Sequence, residues 1–189
     1  MRAWLGSHAV LRQNANVFQR LSHYYPKGDM NRSVTIDSVV KTVTLGCTPE
    51  EAFRYFTADF SMWWPAATHS VVAYASNFKD KPAVVIFDLR AGGRIYERER
   101  SGQEHIWGCV PAWEPPARVE FSFHPGRDEK ETQTVEITFY QVPEGAKVVL
   151  THSGWEKLGT KAQKARDDYN QGWEPVFVGA YREYIQNTK

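Results

Sequence analysis

The stretch Thr160–Gln186, TKAQKARDDYNQGWEPVFVGAYREYIQ, decides the fold because its apolar residues recur every three or four positions. This spacing places them on one stripe of a helix, and charged residues such as Lys164 and Arg182 occupy the opposite face. The stripe consists of Ala162, Ala165, Tyr169, Trp173, Val176, Phe177, Ala180, Tyr181 and Tyr184. The sequence therefore predicts a long C-terminal helix whose apolar side lies against the rest of the chain.

Two residues interrupt the helical pattern near its middle. Pro175 has no backbone N–H and its ring clashes with the preceding turn of a helix, while Gly172 weakens the same turn. We therefore expect a bend or a restart of the helix between Gly172 and Pro175.

The chain from Val34 to Trp155 shows the period-two alternation of β-strands and is rich in β-branched and aromatic residues. Turn sequences such as Ala91-Gly92-Gly93 and Pro143-Glu144-Gly145 separate the alternating segments. The predicted strands are 34–45, 83–90, 94–100, 104–113, 118–124, 132–141 and 147–152. Hairpins in succession build a curved antiparallel sheet with one apolar face, which the long helix covers.

A helix is predicted directly after the first strand. Thr48 is at the N-cap position and Pro49 is at the first helical position, and Glu51 completes a capping box. The helix is expected to end between residues 57 and 60.

A second short helical turn is expected to hold Trp63 and Trp64 and to stop at Pro65. The following segment, 65–82, has no clean period and contains His69 and Tyr74. It is predicted to be a long surface excursion that acts as a lid.

Composition limits the class of protein. The 189 residues suit one globular domain, with 42% hydrophobic and 24% charged residues, and the seven tryptophans indicate a large aromatic interior. A net charge of +1 without a basic run gives no indication of nucleic-acid binding. Cys47 and Cys109 have no metal-binding spacing and are too few for a disulfide framework, so a cytoplasmic location and no metal or cofactor are expected.

Residues 1–33 differ from the rest of the chain. Polar residues such as Arg12 and Asn16 interrupt every apolar run, so the segment does not resemble a signal peptide. It is either an extra docked helix or a disordered extension to a single domain that spans 34–189.

Four motifs in order resemble the SRPBCC (START-like) superfamily, and in particular the bacterial branch named after the activator of the heat-shock-protein ATPase. The residues that carry the resemblance are Gly92–Arg98, Trp107–Val110 with Trp113–Val119, Thr151–Glu156, and Gly172-Trp173. The resemblance covers about Val34 to Ile185 and implies an α+β helix-grip fold. In this fold a curved antiparallel sheet wraps around a long C-terminal helix, and a hydrophobic cavity lies between the two. It does not settle the activity, because one fold hosts many functions.

Strand alternation predicts which side chains face this cavity. It groups His105, Trp107, Cys109, Pro111 and Trp113 on one face of a single strand. On the neighbouring strand either Glu97 or the alternate residues Arg94, Tyr96 and Arg98 point inward, and Glu97 is favoured. The predicted ligand-binding residues are Trp63, Trp64, Glu97, Trp107, Phe121, Phe139, His152, Trp173, Phe177 and Tyr181.

Each of these residues also has a purely structural explanation. The large aromatic residues pack protein cores more often than they contact ligands. His152 is also explained by a core histidine that bonds to a backbone carbonyl or to Ser153, and Glu97 by an ion pair with an arginine or by exposure to solvent.

Three functions remain open at this level. The first is binding of a hydrophobic or aromatic small molecule in the cavity. The second is a cyclase or hydrolase in which His152 and Glu97 transfer protons, although no nucleophile elbow or metal set is present in the sequence. The third is regulation of a chaperone ATPase through a protein partner. A monomer or a homodimer without a membrane span is expected in each case.

Overall fold

The computed structural model describes residues 35–188. The expectation for residues 1–33, a docked helix or a disordered extension, lies outside the described residues. So does Val34, the first residue of the predicted opening strand.

Within residues 35–188, eight strands form two antiparallel sheets. They are β1 (Val39–Leu45), β2 (Val84–Phe87), β3 (Arg94–Arg98), β4 (Glu104–Cys109), β5 (Ala112–Glu114), β6 (Arg118–Phe123), β7 (Gln133–Val142) and β8 (Gly145–Ser153). The larger sheet has the order β1-β8-β7-β6-β5, and the smaller has the order β2-β3-β4. The predicted α+β helix-grip architecture is confirmed.

The helices follow the predicted order, with the addition of one inside the segment 65–82, where no helix was predicted. They are α1 (Pro49–Thr57), α2 (Phe60–Trp63), α3 (Val71–Ala75), α4 (Ala162–Trp173) and α5 (Arg182–Asn187). The capping box of α1 is present, because Glu51 N donates to Thr48 Oγ1 over 3.2 Å and Thr48 N donates to Glu51 Oε2 over 2.9 Å. The turns at Glu129–Glu131 and Trp155–Lys161 are 3₁₀-helical.

The C-terminal helix continues through Pro175 by changing its hydrogen-bond pattern. Between α4 and α5, residues Glu174–Tyr181 form a π-helix. Pro175 has no N–H for the carbonyl of Gln171, and the N–H of Glu174 bonds to that oxygen instead. The predicted irregularity therefore lies next to Pro175, where a π-helical segment takes the place of a break.

The apolar stripe of this helix lies on the concave face of the larger sheet. Trp173, Phe177 and Tyr181 are 3%, 0% and 0% exposed. The hydroxyl of Tyr181 donates to the carbonyl of Ala52 over 2.8 Å, which ties the helix to α1. Lys41 on β1 forms an ion pair with Glu174, which fixes the start of the π-helical segment from the other side.

One predicted strand, 104–113, is wrong as a single element. It divides into β4 and β5, which belong to different sheets. A bulge lies in β4, because Ile95 pairs with Gly108 and Tyr96 pairs with Ile106, which leaves Trp107 as the extra residue.

The bulge also breaks the predicted single face of this strand. Trp107 is buried, whereas Cys109 and Pro111 are exposed and His105 is only partly buried. On β3, Glu97 of the favoured set is fully buried, and Tyr96 of the alternative set is buried as well.

The two sheets meet where β4 crosses β6 at very close range. His124 N donates to Trp107 O over 2.7 Å, and Cys109 N donates to Ser122 Oγ over 2.9 Å. A Cβ atom on Gly108 would lie 1.7 Å from the carbonyl oxygen of Ser122. Only glycine permits this approach, so Gly108 is required for the joint between the sheets.

We predict that Gly108→Ala strongly destabilises the protein, because the added methyl group collides with backbone and not with a mobile side chain. Overpacking of this kind costs about 1–3 kcal/mol or more. Urea unfolding followed by circular dichroism measures the change. Gly172→Ala is the matched control, since its Cβ meets nothing within 4 Å and the change should stabilise the helix slightly. A Gly108→Ala protein as stable as the wild type would contradict the predicted collision.

Candidate functional site

A cavity of about 480 Å³ opens at one end of the space between the sheets and the C-terminal helix. Its walls come from the segment around α3, from the turn that follows β6, and from α4 with the first residues of the π-helix. The lining residues are Trp64, His69, Ser70, Val71, Tyr74, Ala75, Trp107, Phe123, Pro125, Gly126, Asp168, Tyr169, Gly172, Trp173 and Val176. A cavity of this volume accommodates a drug-sized molecule.

The cavity lies at this end because aromatic rings fill the centre of the interior. Phe177 stacks on Tyr181 with ring centroids 5.5 Å apart, and Phe56 meets Tyr181 edge-on at 5.4 Å. Phe139 and Phe121 close the same cluster from the sheet. The aromatic filling ends near residues 64–75, where α3 forms the outer wall of the cavity.

The structure separates the ten predicted ligand-binding residues into three groups. Trp64, Trp107 and Trp173 line the cavity. Five others are buried in the aromatic core and do not line it: Trp63, Phe121, Phe139, Phe177 and Tyr181. Glu97 and His152 are also fully buried, and each contacts residues of the cavity wall from behind. Their ligand-binding roles stay predictions.

Glu97 holds the outer wall in place. Its carboxylate accepts hydrogen bonds from Val71 N at 2.9 Å, from Val72 N at 2.7 Å and from Trp107 Nε1 at 3.1 Å. The two amides are at the first turn of α3, where backbone N–H groups have no partner within the helix. The buried carboxylate therefore attaches α3 to β3 and orients Trp107, which is also a wall residue.

His152 supports the opposite wall. Its Nδ1 accepts a hydrogen bond from Trp173 Nε1 over 3.0 Å, and its Nε2 is buried without a hydrogen-bond partner in the described chain. Burial lowers the pKa of His152 from 6.5 to about 3, and the positive charge of Arg127 contributes in the same direction. The imidazole is therefore neutral at physiological pH.

The pairing of His152 with Glu97, considered above for proton transfer, is not formed. All the hydrogen bonds of Glu97 go to α3 and Trp107, and the ring partner of His152 is Trp173. A backbone partner for the imidazole, the competing expectation, is not observed either. Neither expectation included the indole of Trp173, because the alternation of side chains along a strand does not show which helical residue lies opposite that strand.

Five polar wall residues are outside the predicted site: His69, Ser70, Tyr74, Asp168 and Tyr169. The sequence placed Tyr169 on the helical stripe and placed His69 and Tyr74 in the predicted lid segment. No pattern indicated that these residues line a cavity. His69 is held by Trp64 Nε1, which donates to its carbonyl over 2.6 Å. Burial lowers the pKa of its imidazole. Whether the segment 65–82 moves as a lid stays a prediction.

Residues 35–188 contain neither a metal cluster nor a membrane-spanning helix. No group of three or more His, Cys, Asp or Glu residues there is arranged to hold a metal ion. Within the same residues, no helix is both long enough and apolar enough to span a membrane.

We predict that Glu97→Gln loosens α3 from β3, because an amide side chain has one acceptor oxygen where the carboxylate has two. Hydrogen exchange at the amides of Val71 and Val72 should become about tenfold faster or more, as expected for losing a hydrogen bond to a charged group. Glu99→Gln is the matched control: its carboxylate bonds to His105 and Ser101, away from α3. Unchanged exchange at Val71 and Val72 in Glu97→Gln would show that the carboxylate does not hold the wall.

We also predict that acid destabilises the fold through His152. Its folded-state pKa is below its unfolded value, so the stabilisation is complete above pH 6.5 and is lost as the pH falls towards 3. This residue alone should lower the free energy of unfolding by roughly 2 kcal/mol between pH 7 and pH 5. His152→Gln should flatten the pH dependence measured by urea unfolding. His69 and His124, whose pKa values burial also lowers, remain in both proteins. Parallel pH profiles for the two proteins would be evidence against a buried neutral His152.

Comparison with solved structures shows which fold this is. Protein MLL2253 from Mesorhizobium loti is similar at a TM-score of 0.56 and 18% identity, covering 80% of this chain and 98% of that chain. An AHSA1-like protein from Aeromonas hydrophila matches at a TM-score of 0.53 and 18% identity, with coverage of 80% and 93%. A protein from Rhizobium leguminosarum matches at 0.53 and 20% identity, with coverage of 79% and 94%. At these identities the likeness establishes the fold alone.

Sequence comparison gives the family. No curated protein sequence matches the chain significantly. The family model described as activator of Hsp90 ATPase homolog 1-like protein matches residues 46–179, which include α1, strands β2 to β8 and most of the C-terminal helix. The chain therefore belongs to the AHSA1-like family of the SRPBCC fold.

Proposed function

We propose that the protein binds an apolar or aromatic small molecule in the cavity beside α3. The observation that carries the proposal is a 480 Å³ space left open in an otherwise closely packed aromatic interior. Trp64, Trp107 and Trp173 form its walls, and large flat side chains of this kind provide most of the contact area in small-molecule sites.

The arrangement around the cavity supports a binding site held ready for its ligand. Glu97 fixes Trp107 and α3 from one side, and His152 fixes Trp173 from the other. Walls that are already oriented lose little conformational freedom when a ligand binds, which favours affinity. Membership of the AHSA1-like family agrees with this, because its fold generally encloses a ligand cavity.

The two alternatives, proton-transfer catalysis and regulation of a chaperone ATPase, are not favoured by a particular contact among residues 35–188. Glu97 is engaged by three donors, and His152 lies behind the cavity wall, so neither presents a reactive group to a bound molecule. A cytoplasmic location remains part of the proposal and is supported by the cysteine content.

The experiment uses tryptophan fluorescence, because three wall residues report directly on the cavity. We expect naphthalene-sized and medium-chain alkyl probes to change the emission and to raise the melting temperature of the wild type. Gly172→Leu places a bulky side chain on the cavity wall, where an added Cβ has open space, and should weaken binding at least tenfold. Gly172→Ala, the control, should bind within a few-fold of the wild type.

Two results would overturn the proposal. The first is a probe panel in which no compound alters emission or melting temperature. The second is equal binding by the wild type and Gly172→Leu, which would place any bound probe elsewhere on the protein.

A further inference from the structure

The guanidinium of Arg127 lies behind the cavity without a carboxylate partner. It donates to Phe123 O over 3.2 Å, to Glu131 O over 3.4 Å, to Gln133 Oε1 and to Tyr169 Oη over 3.3 Å. These acceptors are all uncharged, and no ion pair of Arg127 is formed among residues 35–188. A half-buried positive charge is thus hydrogen-bonded but not neutralised.

The charge of Arg127 acts on the side chains around the cavity. It contributes to the lowered pKa of His152, and it opposes the rise in pKa that burial causes at Tyr169. The rise prevails, so Tyr169 remains a neutral phenol that carries its proton. Arg127 therefore places a positive charge next to the hydroxyl donor of Tyr169.

The hydroxyl proton of Tyr169 is unused. Its oxygen accepts from Arg127, and the O–H meets no acceptor among the described residues. The ring is held by edge contacts with Phe123 at 6.1 Å and with His152 at 4.9 Å, and the side chain lines the cavity beside Pro125 and Gly126. Tyr169 is only partly buried, and its hydroxyl donor, without an acceptor among residues 35–188, is available at the cavity wall to a ligand that supplies one.

Ser70 adds a second donor of the same kind on the facing wall. Its oxygen accepts from Ala73 N over 3.0 Å, and its own O–H has no partner in the described chain. The carboxylate on the cavity rim, Asp168, bonds to Lys164 over 2.6 Å and has a side chain that is 61% exposed. Its charge is therefore directed to solvent and is balanced by Lys164.

We infer that the ligand of this cavity is an apolar acid. Its carboxylate accepts a hydrogen bond from the hydroxyl of Tyr169, and the oxygen of that hydroxyl accepts one from Arg127. This rests on the proposed function and names the chemical class of the ligand. The Arg127 N–H donates to the oxygen of Tyr169, and the Tyr169 O–H donates to the carboxylate. In such a chain each hydrogen bond polarises the next. The aromatic walls hold the apolar body, and Arg127 favours a charged acid over a neutral compound of the same shape.

The test compares an acid with its uncharged amide. Naphthaleneacetic acid and naphthaleneacetamide form one pair, and decanoic acid and decanamide form another. Calorimetric titration at pH 7.5 and low salt should show each acid binding about tenfold or more tightly than its amide, the size expected for a hydrogen bond to a charged group.

Two conservative variants identify the donor. Tyr169→Phe keeps the ring and removes only the hydroxyl, so the preference for acid should fall at least several-fold. The affinity for the amide should fall less, because its carbonyl makes only a neutral hydrogen bond to the same hydroxyl. Tyr184→Phe is the matched control on the same C-terminal helix, because its hydroxyl contacts Asp59 away from the cavity. It should leave both affinities unchanged.

The outcomes separate this inference from the proposed function. Equal binding of acids and amides by the wild type overturns the inference and leaves the apolar cavity site intact. A preference for acid that is undiminished in Tyr169→Phe removes Tyr169 as the donor and overturns the inference as well. If neither member of either pair binds, the inference and the proposed function fail together.

Discussion

The packing of one helical stripe onto the concave sheet is the interaction on which the rest of the structure depends. Trp173, Phe177 and Tyr181 are almost entirely buried, and removing each such side chain from water contributes about 1.5–3 kcal/mol. The residues are four positions apart, and the π-helical segment Glu174–Tyr181 keeps them on one side through its wider turn. Pro175, which would interrupt an α-helix, is therefore compatible with a continuous buried face.

The cavity follows from where this packing ends. Aromatic rings fill the centre so completely that the predicted interior site is mainly core. The space that remains is bounded by α3, which has only five residues and depends on Glu97 for its attachment. A buried carboxylate would be costly without partners, and its three donors satisfy it while they position two elements of the wall. His152 positions Trp173 in the opposite wall, and burial favours the neutral form of its imidazole.

The sequence alone was sufficient for the order and type of most elements, because these depend on local patterns. The exceptions are α3 and the division of 104–113 into two strands. The capping box at Thr48, the alternation in β6, β7 and β8 and the stripe of the C-terminal helix are all interactions between near neighbours in sequence. The burial of Val119, Phe121 and Phe123 agrees with that alternation residue by residue. The resemblance in Gly92–Arg98 and Thr151–Glu156 also led to the family that sequence comparison then showed.

Only the tertiary structure decided the joint between the sheets and the composition of the site. The bulge at Trp107 and the approach of Gly108 to Ser122 depend on a strand that is distant in sequence, so strict alternation grouped Trp107 wrongly with Cys109. The partners of Glu97 and His152 come from α3 and from the C-terminal helix, and no local pattern specifies such contacts. The sequence thus determined which faces are apolar, and the crossing of distant segments decided where that apolar interior is left open.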